Sequence, residues 1–294
     1  MNVNIPIDFF RFDGSRAFSS QDFPTKIEAF YDGKKEYKKL LEEFQEEIDD
    51  LQNMMYAHDK YAMLLIFQAM DAAGKDGTIR HVMSGINPHG VVVSSFKKPS
   101  SEELDHDYLW RTQKQLPQRG RIGIFNRSYY EEVLVVKVHP GILTGGQKIP
   151  SEHLEDVDKV FEDRYHDIKN MEGFLHRNGT QIVKFYLHLS KAEQKERFMD
   201  RLNTPAKNWK FSEHDVKERG YWDKYMLAYE DVINKTATPD SPWYAIPADD
   251  KKNMRLIVSA IILHHMQGLD MKYPEVDEAR KAEFQTYRDM LDNE

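Results

Sequence analysis

Apolar positions along the chain follow two periods, and the change from one to the other outlines the fold. Between Lys34 and His58, Tyr37, Leu40, Leu41, Phe44, Ile48, Leu51 and Met55 recur at helical spacing, with Glu and Asp on the opposite face. This stretch predicts an amphipathic helix packed ahead of the core. From Tyr61 onward the pattern changes to an unbroken apolar run, Met63-Leu64-Leu65-Ile66-Phe67. Such a run suits a strand buried on both faces. Strands are predicted at Tyr61–Phe67, Val91–Phe96, Arg121–Phe125, Gln181–Leu189 and Trp243–Pro247. Helices are expected at 76–86, 101–116, 128–137, 151–177, 190–201 and 251–267. The alternation predicts an α/β fold, a parallel sheet with helices on both faces. Ligands of such sheets sit at the carboxyl ends of the strands. The segments after Phe67, Phe96 and Phe125 are therefore expected on one rim.

The chain reads as one domain over residues 1–294. Residues 1–58 form an irregular N-terminal arm and the amphipathic helix, and residues 59–202 and 241–270 form the core. Residues 203–240 are polar, basic and aromatic, and predict a helical hairpin inserted as a lid. Residues 271–294 are a charged, peripheral tail. A net charge of −8 argues against a general nucleic-acid binder. There is no cysteine, so neither disulfides nor thiol chemistry is in play. No apolar run reaches the length of a membrane span, and the N-terminus lacks the features of a signal peptide. A cytoplasmic protein with no membrane partner is expected.

The first predicted strand runs into Asp71-Ala72-Ala73-Gly74-Lys75-Asp76-Gly77-Thr78 and then an expected helix. A strand feeding such a turn leaves backbone N–H groups converging at a helix N-terminus, with Lys75 among them. That arrangement cradles phosphates. As a Walker A pattern it is imperfect: Ala69 stands in place of the first Gly, and Asp76 in place of the Ser/Thr that usually holds Mg²⁺. Asp71, Asp76 or Thr78 could supply the oxygen ligand instead. A carboxylate inside a phosphate cradle repels the ligand unless a metal lies between them, which singles out Asp71. The alternative is an Asp that caps the next turn.

Three further clusters carry candidate chemistry, the first and last of them on the predicted rim. Asn126-Arg127 ends a strand, where an arginine can clamp a transferring phosphoryl group. Its alternative is a surface arginine paired with Glu131. Arg197 and Arg201 share a helix face, and Lys207, Lys210, Lys217, Arg219 and Lys224 follow among Trp209, Phe211, Tyr221, Trp222 and Tyr225. A basic flap of this kind can close over an anion and exclude water. Lys97 and Lys98 follow the second strand, and Arg80 lies in the first turns after the loop. His139, His188, His264 and His265 lack metal-ligand spacing and are expected to be structural.

The combination of Asp71-Ala72-Ala73-Gly74-Lys75-Asp76-Gly77-Thr78-Ile79, Asn87-Pro88-His89-Gly90 and Phe125-Asn126-Arg127-Ser128-Tyr129-Tyr130-Glu131 closely resembles the family-two polyphosphate kinases. The likeness continues through Lys207-Asn208-Trp209-Lys210-Phe211, Trp222-Asp223-Lys224-Tyr225 and Trp243-Tyr244-Ala245-Ile246-Pro247-Ala248-Asp249-Asp250-Lys251. The resemblance implies a P-loop kinase fold like thymidylate kinase, a three-layer arrangement with a central parallel sheet and a helical lid. It implies reversible, Mg²⁺-dependent phosphoryl transfer between inorganic polyphosphate and a nucleotide, ADP to ATP and also AMP to ADP, with Mn²⁺ as an alternative metal. Asp71, Lys75, Arg127 and Arg197 match the family's catalytic positions. Asp71 and Asn126 match its metal positions, although many members carry Asp where this chain has Asn126. The Asn form is similar to the subgroup that accepts both mono- and diphosphates.

Phosphate and nucleotide contacts are expected from Ala72, Ala73, Gly74, Asp76, Gly77, Thr78, Arg80, Asn126, Lys97, Lys98, Arg201, Lys210 and Lys224. Polyphosphate is expected to lie along a trough past Lys97, Lys98, Arg80 and Lys137, with the base near the lid aromatics. A homo-oligomer, dimer or tetramer, is the expected assembly. The rival readings are an ATP-dependent kinase on the same fold and a non-catalytic nucleotide or polyphosphate binder.

Overall fold

The computed structural model describes residues 3–294. Its centre is a six-stranded sheet of β1 (Arg11–Phe12), β2 (Ala62–Gln68), β3 (Val91–Ser95), β4 (Ile122–Asn126), β5 (Thr180–His188) and β6 (Trp243–Pro247). The spatial order is β1-β6-β5-β2-β4-β3. All neighbours are parallel except β1, which pairs antiparallel with β6.

The unbroken apolar runs follow from what covers each face. In β2, Met63, Leu65 and Phe67 enter one core, and Leu64 and Ile66 enter the other. The first core is closed by helices Gly33–His58, Lys75–Val82 and Lys251–Gln267. The second is closed by Val157–Arg177 and Trp222–Thr236. Within the second layer, Lys184 of β5 is fully buried and donates to Glu172 at 2.6 Å, Tyr130 Oη at 3.0 Å and the Thr236 carbonyl at 2.9 Å.

Five of the six strands coincide with predicted ones to within a residue or two. The sixth, β1, lies in the arm expected to be irregular. It is two residues long and is set by pairing with Tyr244 and Trp243, so no period could announce it. The expected helix 101–116 is instead a 3₁₀ turn at Glu103–Asp105 and a single turn at Trp110–Gln113. The Asp107 carboxylate accepts from the amides of Leu109 and Trp110 at 2.9 and 3.1 Å, a local turn that interrupts the helix. The expected helix 128–137 is likewise split into Tyr129–Glu132 and Val135–Val138. The helix expected at 151–177 starts at Val157, where Asp156 caps the Lys159 amide at 3.1 Å. The helix expected at 76–86 ends at Val82.

Residues 203–240 do not project as one hairpin. Helix Trp222–Thr236 buries Trp222, Tyr225, Ala228, Tyr229, Val232 and Ile233 in the second core. The exposed flap is confined to the short helices Pro205–Lys210 and Glu213–Glu218 and the turn at Arg219–Tyr221. The tail forms a helix, Glu278–Asp292, with no buried residue.

Candidate active site

β2 and β4 are neighbours in register, with Phe67 beside Asn126, so the segments leaving their carboxyl ends meet. The loop after β2 turns at Ala72 (φ 63°) and Gly74 (φ 105°), both left-handed, before helix Lys75–Val82 begins. Glycine adopts that conformation freely, and a side chain at position 74 would be strained. Lys75 Nζ donates to the Ala69 carbonyl at 2.8 Å. Burial, reinforced by the neighbouring Arg127, holds the Lys75 ammonium below its usual pKa. Thr78 is fully buried and its hydroxyl donates to the Gly74 carbonyl at 3.0 Å, fastening the turn rather than facing the cleft.

Arg127, immediately after β4, also has a left-handed backbone (φ 63°), and its amide donates to the Phe67 carbonyl at 3.1 Å. Its guanidinium reaches Asp71 at 3.1 Å and Glu131 at 3.5 Å. Arg127 thus faces the phosphate loop and also makes the pairing with Glu131. The Arg127 side chain is 41% exposed, so its pairing with Asp71 is exchangeable and stabilises the fold little. Burial pushes the Glu131 carboxyl up, against the pull of Arg127 and Lys75. Asn126 Nδ2 donates to Asp76 Oδ1 at 2.6 Å, which leaves the amide oxygen as the atom able to ligate.

Arg197 is 5% exposed and bonds the carbonyls of Ala72, Ala73, Ala248 and Asp249 at 2.7–3.2 Å. It braces the loop from behind, while its ion pair with Glu193 closes at 2.8 Å. Arg201 donates to Asp215 of the flap at 3.1 Å.

These groups surround a cavity of about 650 Å³. Asp71, Ala72, Ala73, Gly74, Lys75, Asp76, Gly77, Lys97, Lys98, Asn126, Arg127, Arg197, Arg201 and Lys210 all line it. Arg80, Lys224 and Lys137 do not: Arg80 is exposed beyond the loop, Lys224 lies over Tyr221, and Lys137 pairs with Asp231 and Tyr165. Lys207, Lys251 and Arg255 line it as well, the last two contributed by helix Lys251–Gln267. Neither Lys251 nor Arg255 is among the contacts expected from the sequence. The i, i+4 spacing of Lys251 and Arg255 at the start of that helix was the signal available.

The wall carries ten cationic side chains and three acidic ones, in a chain whose net charge is −8. A second cavity of similar size carries nine acidic side chains against four cationic, which excludes it for a polyanion. Among the described residues, no group of three or more His, Cys, Asp or Glu could hold a metal on its own. Asp71, Asp76 and the Asn126 oxygen are hard oxygen donors too few to enclose an ion. That donor set fits Mg²⁺ completed by substrate phosphates and water.

The polyphosphate kinase 2 family profile matches residues 31–274. The chain is 57% identical over 270 residues to an ADP-polyphosphate phosphotransferase of Rhodopseudomonas palustris, covering 92% of both chains. It is 42% identical over 256 residues to an AMP/ADP-polyphosphate phosphotransferase of Meiothermus ruber, covering 87% of this chain and 91% of that one. The crystal structure of polyphosphate kinase 2 from Arthrobacter aurescens superposes with a TM-score of 0.86 at 36% identity, over 98% of each chain. The expected P-loop kinase architecture is thus the observed one, and the chain belongs to the polyphosphate kinase 2 family.

Proposed function

We propose that this protein transfers the terminal phosphoryl group of inorganic polyphosphate to a nucleoside diphosphate, forming ATP from ADP, and that it also converts AMP to ADP. The observation that carries the reading is the meeting of Lys75, Asp71 and Arg127 at the ends of two paired strands, in a cavity walled by cations. The names of the two relatives cited above favour ADP first and AMP second.

Both donor and acceptor are phosphates already ionised at neutral pH, so no strong general base is needed. The work left to the protein is alignment and neutralisation of charge. Lys75 and the loop amides of residues 72–77 hold one set of phosphoryl oxygens, and Arg127 swings from Asp71 onto the transferring group. Arg197 keeps the loop carbonyls turned away from the anions. Lys97, Lys98, Arg201, Lys207, Lys210, Lys251 and Arg255 neutralise the rest of the chain. Mg²⁺, held by Asp71 with Asp76 or the Asn126 oxygen, would supply positive charge between phosphoryl oxygens. One phosphoanhydride replaces another, so the reaction runs in either direction with concentration. A homo-oligomer working in the cytoplasm completes the reading. Among the described residues no helix is long and apolar enough to cross a membrane.

The test is product formation with long-chain polyphosphate and Mg²⁺, from ADP and from AMP in separate reactions. Both products are expected. ATP from ADP alone would remove the AMP activity. No product from either, in a folded protein that binds nucleotide, would overturn the assignment.

A further inference from the structure

Gln194 is 1% exposed and uses both ends of its amide. Its Nε2 donates to the main-chain carbonyl of Asp71 at 2.9 Å. Its Oε1 accepts from Arg219 Nη1 at 2.9 Å, and the same nitrogen donates to the Lys191 carbonyl at 2.7 Å. Arg219 stands at the last turn of the flap, next to the buried helix Trp222–Thr236. Asp71 stands at the other end of this connection, in the phosphate loop. Gln194, Arg197 and Arg201 are spaced i, i+3 and i+7, so they share one face of helix Lys191–Asn203. On that face Arg197 is fastened to the loop and Arg201 to the flap. Gln194 is the one of the three that holds both.

An amide is suited to this place. It donates at one end and accepts at the other, and it carries no charge to compete for phosphate or metal. Its burial makes each bond costly to leave unmade, so movement at one end is felt at the other.

We infer that Gln194 is a positioning residue that couples the flap to the Asp71 side of the phosphate loop. A polyanion that draws the flap inward moves Arg219, and Gln194 transmits the shift to the peptide that carries the Asp71 side chain. The coupling is reciprocal: a flap held by polyphosphate tightens the metal site, and a filled metal site tightens polyphosphate binding. This inference rests on the function proposed above.

The test compares R219A, R219K, Q194L and the double variant R219A/Q194L with the parent. In R219A, although the substitution lies in the flap, hydrogen exchange at the Ala73 amide is expected to rise about tenfold, the effect of losing one part-buried bond to Gln194. That amide is otherwise held by the Met70 carbonyl at 3.2 Å. The Mg²⁺ concentration giving half-maximal rate should rise about three- to tenfold in R219A and Q194L. The KM for ADP should stay near that of the parent, a split that general loosening of the fold would not produce. R219K should recover most of the loss, and the double variant should be no worse than Q194L alone. Unchanged loop exchange with an unchanged Mg²⁺ requirement, or additive losses in the double variant, would overturn the coupling. If the parent makes no nucleotide product while R219A still loosens the loop, the proposed function fails and the coupling stands.

Discussion

Lys75 and Arg127 differ in how they are held, and that difference decides what each substitution does. Lys75 is half-buried, with its ammonium on a loop carbonyl and, among the described residues, no ion pair of its own within salt-bridge distance. Replacing it by Ala should lower kcat about 10²–10³-fold, the usual loss when one donor to a developing charge is removed. Calorimetry should still show nucleotide binding, and Lys75→Arg should not restore the rate, because a planar fork does not fit a point-charge site. Asn126 offers a sharper test. Asn126→Asp would place a second carboxylate against Asp76, where the amide nitrogen now sits at 2.6 Å. The metal-free variant should have a lower Tm than the parent, and Mg²⁺ should raise its Tm more than it raises that of the parent. Equal Mg²⁺ responses would remove Asn126 from the metal site. Asp71, Lys75 and Arg127 were legible in the sequence because each sits in a short local pattern that leaves a strand. Gln194, Lys251 and Arg255 were not singled out as site residues, since each gains its role only from what a distant segment places beside it.

The strands were the most legible elements, because both faces of the central ones, β2, β4, β5 and β6, are covered and most of their positions are apolar. Lys184 stands out as a charge in the middle of β5, paired with Glu172 of helix Val157–Arg177, with Ser241 and both Tyr129 and Tyr130 completing the carboxylate's bonds. Burial alone would drive the Lys184 ammonium toward its neutral form, and Glu172 opposes this. Removing one partner strands the other, so Glu172→Gln should destabilise the protein by about 3–5 kcal/mol in urea unfolding. A change below 1 kcal/mol would show the pair to be dispensable. The helices were less legible where side chains compete with the backbone. Asp107 breaks one expected helix by capping amides two and three residues on. The period in Trp222–Thr236 was masked by its neighbours, since Asp, Lys and Glu alternate there with the buried aromatics.

For the molecule as a whole, acid sensitivity follows from histidines buried in their neutral form. His265 lies between Tyr244 Oη (2.8 Å) and Gln181 Nε2 (3.3 Å), and burial lowers its pKa from 6.5 to about 4. His188 is lowered for the same reason. As pH falls the unfolded chain takes up these protons first, so stability present above pH 6.5 is lost progressively toward pH 4. The Tm should fall across that window, and His265→Gln, which does not titrate, should flatten the slope. A parallel slope in the variant would rule His265 out.

Several cations of the site are held by the chain itself: Lys75 on the Ala69 carbonyl, Arg127 on Asp71 and Glu131, Arg201 on Asp215. Arg127 and Arg201 thus have carboxylate partners within the chain. An incoming monovalent or divalent anion would exchange one internal partner for another and gain little. A polymer with a charge on every unit displaces several at once, and its remaining charges are then free to meet Lys97, Lys98 and Lys251 along the wall. Discrimination of chain from monomer would then arise from the number of simultaneous exchanges and not from the shape of a pocket. Orthophosphate at millimolar concentration should leave the rate almost unchanged, whereas short polyphosphates should compete in proportion to their length. Inhibition by orthophosphate as strong as that by a short chain would show that the site reads single phosphates.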